Sequence, residues 1–171
     1  VAGGTTGGAT GGETGVVASG EIGTITWTVS GDGTAAAPGQ LVIGGSGEIP
    51  GYTIDNPAPW SQYSASIYEI YTKEGVTGIG DFAFYGCTNA STVAISKTVE
   101  TIGKGVFAGL TNLCNLKVET ENVSFCIKNN ALYSQDMETL IFKIPANDGL
   151  YVLPDTVTEI SPYAFYMNDM L

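Results

Sequence analysis

Between Val76 and Val118 the chain repeats itself every 23 residues. The apolar set Ile79, Ala83, Phe84, Cys87, Ala90, Val93 and Ile95 returns as Ile102, Val106, Phe107, Leu110, Leu113, Leu116 and Val118, every spacing kept. Other landmarks travel with it: Gly80 becomes Gly103, Gly86 becomes Gly109, and Asn89 becomes Asn112. A third copy, Val157, Ile160, Ala164, Phe165 and Leu171, stands 58 residues beyond the second, one period plus an insertion of about 35. One unit of this size cannot bury its own apolar stripe, so the copies must stack as rungs of a solenoid.

Spacing inside the unit predicts how each rung folds. Ile79, Ala83, Cys87 and Ala90 step by four, four and three, which is a helical stripe. Val93 and Ile95 step by two, which is a strand. The expected fold is therefore an α/β solenoid, a short helix plus a parallel strand per unit, with strands ~4.8 Å apart. Ile67, Ile70 and Thr72 supply the strand before the first unit, and Leu150 to Leu153 the one before the third. Cys87 occupies the place that Leu110 holds one copy later, so it reads as core and not as a reactive thiol.

Outside the repeat, residues 1–20 hold eight Gly and four Thr and predict a flexible tether. Residues 21–66 read as a β-hairpin cap. Trp27 and Val29 lie on one strand, Leu41 to Ile43 on the next, with an enlarged loop from Gly31 to Gln40. Pro50, Pro57 and Pro59 then mark an irregular crossing that covers the array without pairing with it. Residues 67–171 form the array. Its insertion, about 119–148, has three β-rich runs broken at Asn129-Asn130 and at Gln135 to Glu138, which predicts an antiparallel meander returning at Pro145.

The string IGDFAFYGC, with VAIS and VETIGKGVFAGLTNLCNLKV after it, resembles the BspA-type leucine-rich repeat family of bacterial surface and secreted proteins. LPDTVTEISPYAF matches the same pattern, and NNALYSQDMETLIFKIP is similar to an island common among its members. The hairpin region resembles one that often precedes such arrays. Ala90 stands where the family has Leu, Ser96 where it has Pro, and Asn168 at a Cys or Leu core position. The resemblance covers roughly residues 21–171 and implies a short leucine-rich-repeat array, without enzymatic activity or cofactor, used at the cell surface or outside the cell for adhesion.

Charge and composition narrow the chemistry. Seventeen acidic residues against six Lys, with no Arg and no His, give a net charge of −11, which argues against nucleic acid and anionic lipid. No apolar run is long enough to span a bilayer. The chain starts at Val1 without a charged leader, so either a leader is removed or the chain is part of something longer. The absence of His removes Ser-His-Asp and Cys-His devices and His-ligated zinc. The glycine-rich stretches lack the ending of a phosphate-binding loop. Cys87, Cys114 and Cys126 show no zinc spacing, and read as buried thiols or as one disulfide with a spare. The carboxylate pairs Glu119/Glu121 and Asp136/Glu138 read as solvated acids and not as a glycosidase dyad. Adventitious calcium at Asp32 or Asp136 stays open.

What remains is the outward side of the parallel strands. Glu69, Tyr71 and Lys73, then Thr92, Ala94 and Ser96, then Asn115, Lys117 and Glu119 alternate with the inward residues. Glu69, Tyr71, Lys73, Thr92, Asn115 and Lys117 are the candidate contacts for a protein partner, with Tyr71 as the anchor. Trp60 and Tyr63 are the candidates for stacking on a glycan, against core cover at the array end. An architectural spacer is the third reading. The array stops halfway through its third copy, which predicts a shortened chain or an end-to-end contact with another copy through Met167, Met170 and Leu171.

Overall fold

The computed structural model describes residues 15–31, 37–145 and 150–166. In chain order its strands are β1 (Val16–Ile22), β2 (Ile25–Ser30), β3 (Gln40–Gly45), β4 (Gly47–Ile49), β5 (Glu69–Thr72), β6 (Val76–Ile79) and β7 (Thr92–Ile95). There follow β8 (Thr101–Ile102), β9 (Asn115–Val118), β10 (Phe125–Lys128), β11 (Ala131–Ser134), β12 (Thr139–Lys143) and β13 (Glu159–Ile160). A 3-10 helix, Pro59–Ser66, lies between β4 and β5.

Six strands make one sheet in the order β1-β2-β3-β5-β7-β9, antiparallel through β3 and parallel from β3 onward. The register aligns Leu41, Ile70, Val93 and Leu116 across four neighbouring strands, all buried. A second, three-stranded parallel row runs β4-β6-β8 on the other limb of each coil. Backbone bonds from Gly80 N to Ile49 O (2.9 Å) and Gly103 N to Ile79 O (2.8 Å) tie one coil to the next. The asparagine landmarks do the same work: Asn89 Nδ2 donates to Ala65 O and Asn112 Nδ2 to Thr88 O, both at 2.8 Å. A side chain that recurs with the period thus satisfies a carbonyl of the preceding coil.

The predicted helix is replaced by turns. In both full copies the residues between the second row and the next strand close i→i+3 bonds, among them Cys87 N to Phe84 O and Leu110 N to Phe107 O, both 3.2 Å. The interruption has a local cause. Phe82, Gly105 and Tyr163, equivalent in the three copies, take φ of 54°, 63° and 68°, and Gly86 and Gly109 take 77° and 82°. Left-handed residues four apart cannot share a right-handed helix. The apolar periodicity is real, but a chain of tight turns presents it.

Three boundaries also move. β1 begins at Val16, inside the stretch expected to be tether, because pairing with β2 orders it; Ala18 and Ile22 pack partly against the core. Residues 1–14 lie outside the described residues. β3, expected only as the return of a hairpin, also pairs in parallel with β5 and so serves as the first rung. A short strand, β4, precedes the proline-rich crossing and joins β6, while residues 50–58 form no strand. They lie close over the array, with Tyr52 N donating to Asp81 O at 2.7 Å and the Pro50–Gly51 backbone where a Cβ on Gly80 would sit.

The insertion holds three antiparallel strands, β10, β11 and β12, but it does not leave the stack. β12 pairs in parallel with β13, and Lys143 N donates to Ala164 O at 2.8 Å, so the meander's last strand is itself a rung between copies two and three. The aromatic ladder follows: Phe84 lies 6.5 Å from Phe107, and Phe107 lies 5.2 Å from Phe142. Phe165, expected on the rung after Phe107, instead packs 6.3 Å from Tyr151 in a smaller core of Ala131, Tyr133, Leu140 and Ala164. Leu150 to Leu153 form no strand, and Leu150 is 89% exposed.

Candidate functional site: the outward strand face

Alternation along β5, β7 and β9 turns one set of side chains into the core and the other outward. Register then decides which outward residues are neighbours. Gln40, Glu69, Thr92 and Asn115 form one row, and Val42, Tyr71, Ala94 and Lys117 the next. Lys73 follows β5 and lies beside Gly44, exposed. Five of the six candidate contacts therefore share one sheet, and Lys73 directly follows one of its strands. Ser96 does not join them: it is buried, its Oγ donating to Lys73 O at 3.2 Å.

The face carries its own network. Tyr71 Oη donates to Glu69 Oε2 at 3.0 Å, and Gln40 Nε2 donates to the same oxygen at 2.7 Å. Partial burial, and then the bond and charge of Glu69, raise the Tyr71 phenol above its ordinary value. The ring is thus a neutral donor to a carboxylate on its own strand, and that carboxylate carries the network on to Gln40 of β3. Gln40 and Val42, and Thr26 and Thr28 on the antiparallel strand beside them, extend this face beyond what the sequence indicated. Their period-2 pattern was visible; that β3 lies beside β5 was not.

At the rim where these strands end, Lys97 Nζ approaches Glu121 (3.2 Å) and Glu74 (3.5 Å), while its backbone N donates to Glu119 Oε2 at 2.8 Å. Both members of the Glu119/Glu121 pair are tied to one lysine. In the other pair, Asp136 Oδ1 accepts from Ser134 Oγ (2.6 Å) and Glu138 N (3.0 Å), and the Ser134 bond leads the causes that hold its carboxyl below the usual value. Among the described residues no three carboxylates or thiols converge on a point that could hold a metal. Asp32 lies outside them, as do Met167, Met170 and Leu171.

Trp60 is fully buried, its Nε1 donating to Ala83 O at 2.8 Å, with Trp27 at 6.0 Å and Tyr52 at 5.9 Å. It cannot stack on a sugar. Tyr63, half-buried 6.4 Å from Trp27, belongs to the same plug over the first rung. The apolar end of the stack needs cover, and these rings supply it. Cys87 is buried, its thiol pushed up to about 12 by burial alone, whereas Cys114 is exposed; all three cysteines are free.

A profile of the BspA type Leucine rich repeat region, in six copies, matches residues 61–148. No curated protein sequence matches the chain. Among solved structures, a leucine-rich repeat protein from Eubacterium ventriosum is 21% identical with a TM-score of 0.40, over 84% of this chain and 55% of its own. The pneumococcal vaccine antigen PcpA is 15% identical with a TM-score of 0.46, over 92% and 64% respectively. A leucine rich cell surface protein from Faecalibacterium prausnitzii is 18% identical with a TM-score of 0.38, over 86% and 46%. The chain spans less than two thirds of the length of each. No helix among the described residues is long and apolar enough to cross a membrane.

Proposed function

The chain belongs to the BspA-type leucine-rich repeat family, and from that membership we propose that it is a non-catalytic binding module, meeting a protein partner through the outward face of its six-stranded sheet. On this reading it is a short solenoid capped by its N-terminal antiparallel strands, working at the bacterial surface or outside the cell. The observation that carries the proposal is the Gln40–Glu69–Tyr71 network. A tyrosine already bonded to Glu69, itself tied to Gln40 of the neighbouring strand, loses little freedom on contact, so more of its buried area becomes affinity. Lys117 lies two strands from Tyr71 in the same row and adds a cation for steering.

The test is capture from mucosal extract on immobilised full chain, compared with Tyr71→Ala and Lys117→Glu. The expected outcome is a protein retained by the native chain and lost from Tyr71→Ala, with both variants melting at the native temperature. Each outward substitution is expected to change stability by less than ~0.5 kcal/mol. Identical captures on all three surfaces would leave the spacer reading in its place.

A further inference from the structure

The three copies differ in aromatic content at two positions of the turns that follow β6, β8 and β13. Copy one has Phe82 and Tyr85, copy three has Tyr163 and Tyr166, and copy two has Gly105 and Ala108. The small pair makes room: a Cβ on Gly105 would come within 2.5 Å of the Phe82 ring. Rings from the outer copies close over it, Phe82 to Tyr163 at 5.3 Å, Phe82 to Tyr85 at 5.8 Å and Tyr163 to Tyr166 at 5.8 Å.

The backbone adds an independent observation. Phe82 and Tyr163 hold φ of 54° and 68°, where a bulky side chain is strained and the middle copy uses glycine. Phe82 has a structural reason, since its ring is buried over Gly105. Tyr163 packs edge-on against Phe82 at 5.3 Å, yet the residue stays 42% exposed. Strain kept at an exposed aromatic points to use of the ring.

We propose that Tyr163, Tyr166 and Tyr85, backed by Phe82, form a stacking site for a neutral glycan on these turns. The flanking groups favour a sugar. Asp81 and Lys104 adjoin Phe82 and Gly105 in the chain and pair at 3.7 Å, offering an acceptor and a donor to hydroxyls at the edge of a ring stacked on tyrosine. A proline-rich segment would also lie on aromatic rings, but proline has no N–H to give Asp81. At a net charge of −11, sulfated or sialylated chains are repelled. This site is separate from the strand face and does not depend on its role.

Binding of cellohexaose, mannohexaose, xylohexaose and chitohexaose to the full chain, followed by calorimetry and ligand-observed NMR, tests the proposal. At least one is expected to bind, and Tyr163→Gly to weaken it about tenfold while melting at or above the native temperature, since glycine relieves the backbone. Tyr166→Ala should weaken it without touching that backbone, and Tyr71→Ala should leave it unchanged. The proposal is overturned if none of the four sugars binds, if binding survives both Tyr163→Gly and Tyr166→Ala, or if a proline-rich decapeptide binds there and the sugars do not.

Discussion

Cys87 shows how much one residue discloses. The repeat alone placed it in the core, because Leu110 fills the same position one copy later. Burial adds a consequence for stability. The ordinary thiol ionises near 9.0 and the folded one at about 12, so between those values the unfolded chain loses a proton that the folded chain keeps. Cys87 therefore costs nothing below about pH 9, and its effect erodes stability toward pH 12 by at most ~1.4 kcal/mol per pH unit. Tyr52, also pushed up to about 12 by burial, adds to the decline only above 10.0, its ordinary value. Urea midpoints of the native chain and Cys87→Ala, taken at about pH 8 and about pH 10, should draw closer at the higher pH. A gap that stays constant would mean the buried thiol is not linked to folding. Trp60 is the opposite lesson: an aromatic in a proline-rich crossing reads equally as ligand platform or plug, and only its bond to Ala83 O decides.

At the scale of elements, the strands were legible and the turns were not. Period-2 runs at Ile70/Thr72, Val93/Ile95 and Leu116/Val118 give β5, β7 and β9 directly. The helix expected after each second-row strand fails because periodicity reports which side chains point inward, not the sign of φ. The meander's three runs were visible, but its role as a rung was not, since pairing of β12 with β13 is non-local. Its entry rests on Asn122, at the position where the previous copy has Val99. Asn122 is buried with every bond made: Nδ2 donates to Ser96 O (3.0 Å) and Val99 O (2.9 Å), and Oδ1 accepts from Ser124 N and Phe125 N (2.8 Å each). Asn122→Ala strands Val99 O, Ser124 N and Phe125 N, while Ser96 O keeps its bond from Val99 N, and should cost on the order of 3 kcal/mol by urea unfolding. A loss below ~1 kcal/mol would show that water replaces the amide.

Over the whole molecule, stacking makes stability a matter of position. β5 and β7 are paired on both sides, and Ile70 and Val93 are fully buried. β13 stands at the edge of its sheet with Ile160 47% exposed. In an array held by nearest neighbours, opening starts where a rung has one neighbour. Hydrogen exchange should therefore be slowest at the amides of Ile70 and Val93, bonded within the central sheet, and much faster at β13. Equal protection at both places would mean that the two cores open together.

The sequence alone determined the period, the inward face of each rung, the burial of Cys87 and the family, because these depend on side chains recurring along one chain. The tertiary structure decided where the stack begins, that β12 is a rung, that Trp60 is a plug, and that rings from the first and third copies meet over Gly105. Those facts depend on which distant segments lie side by side, and on backbone angles that hydrophobic spacing does not encode.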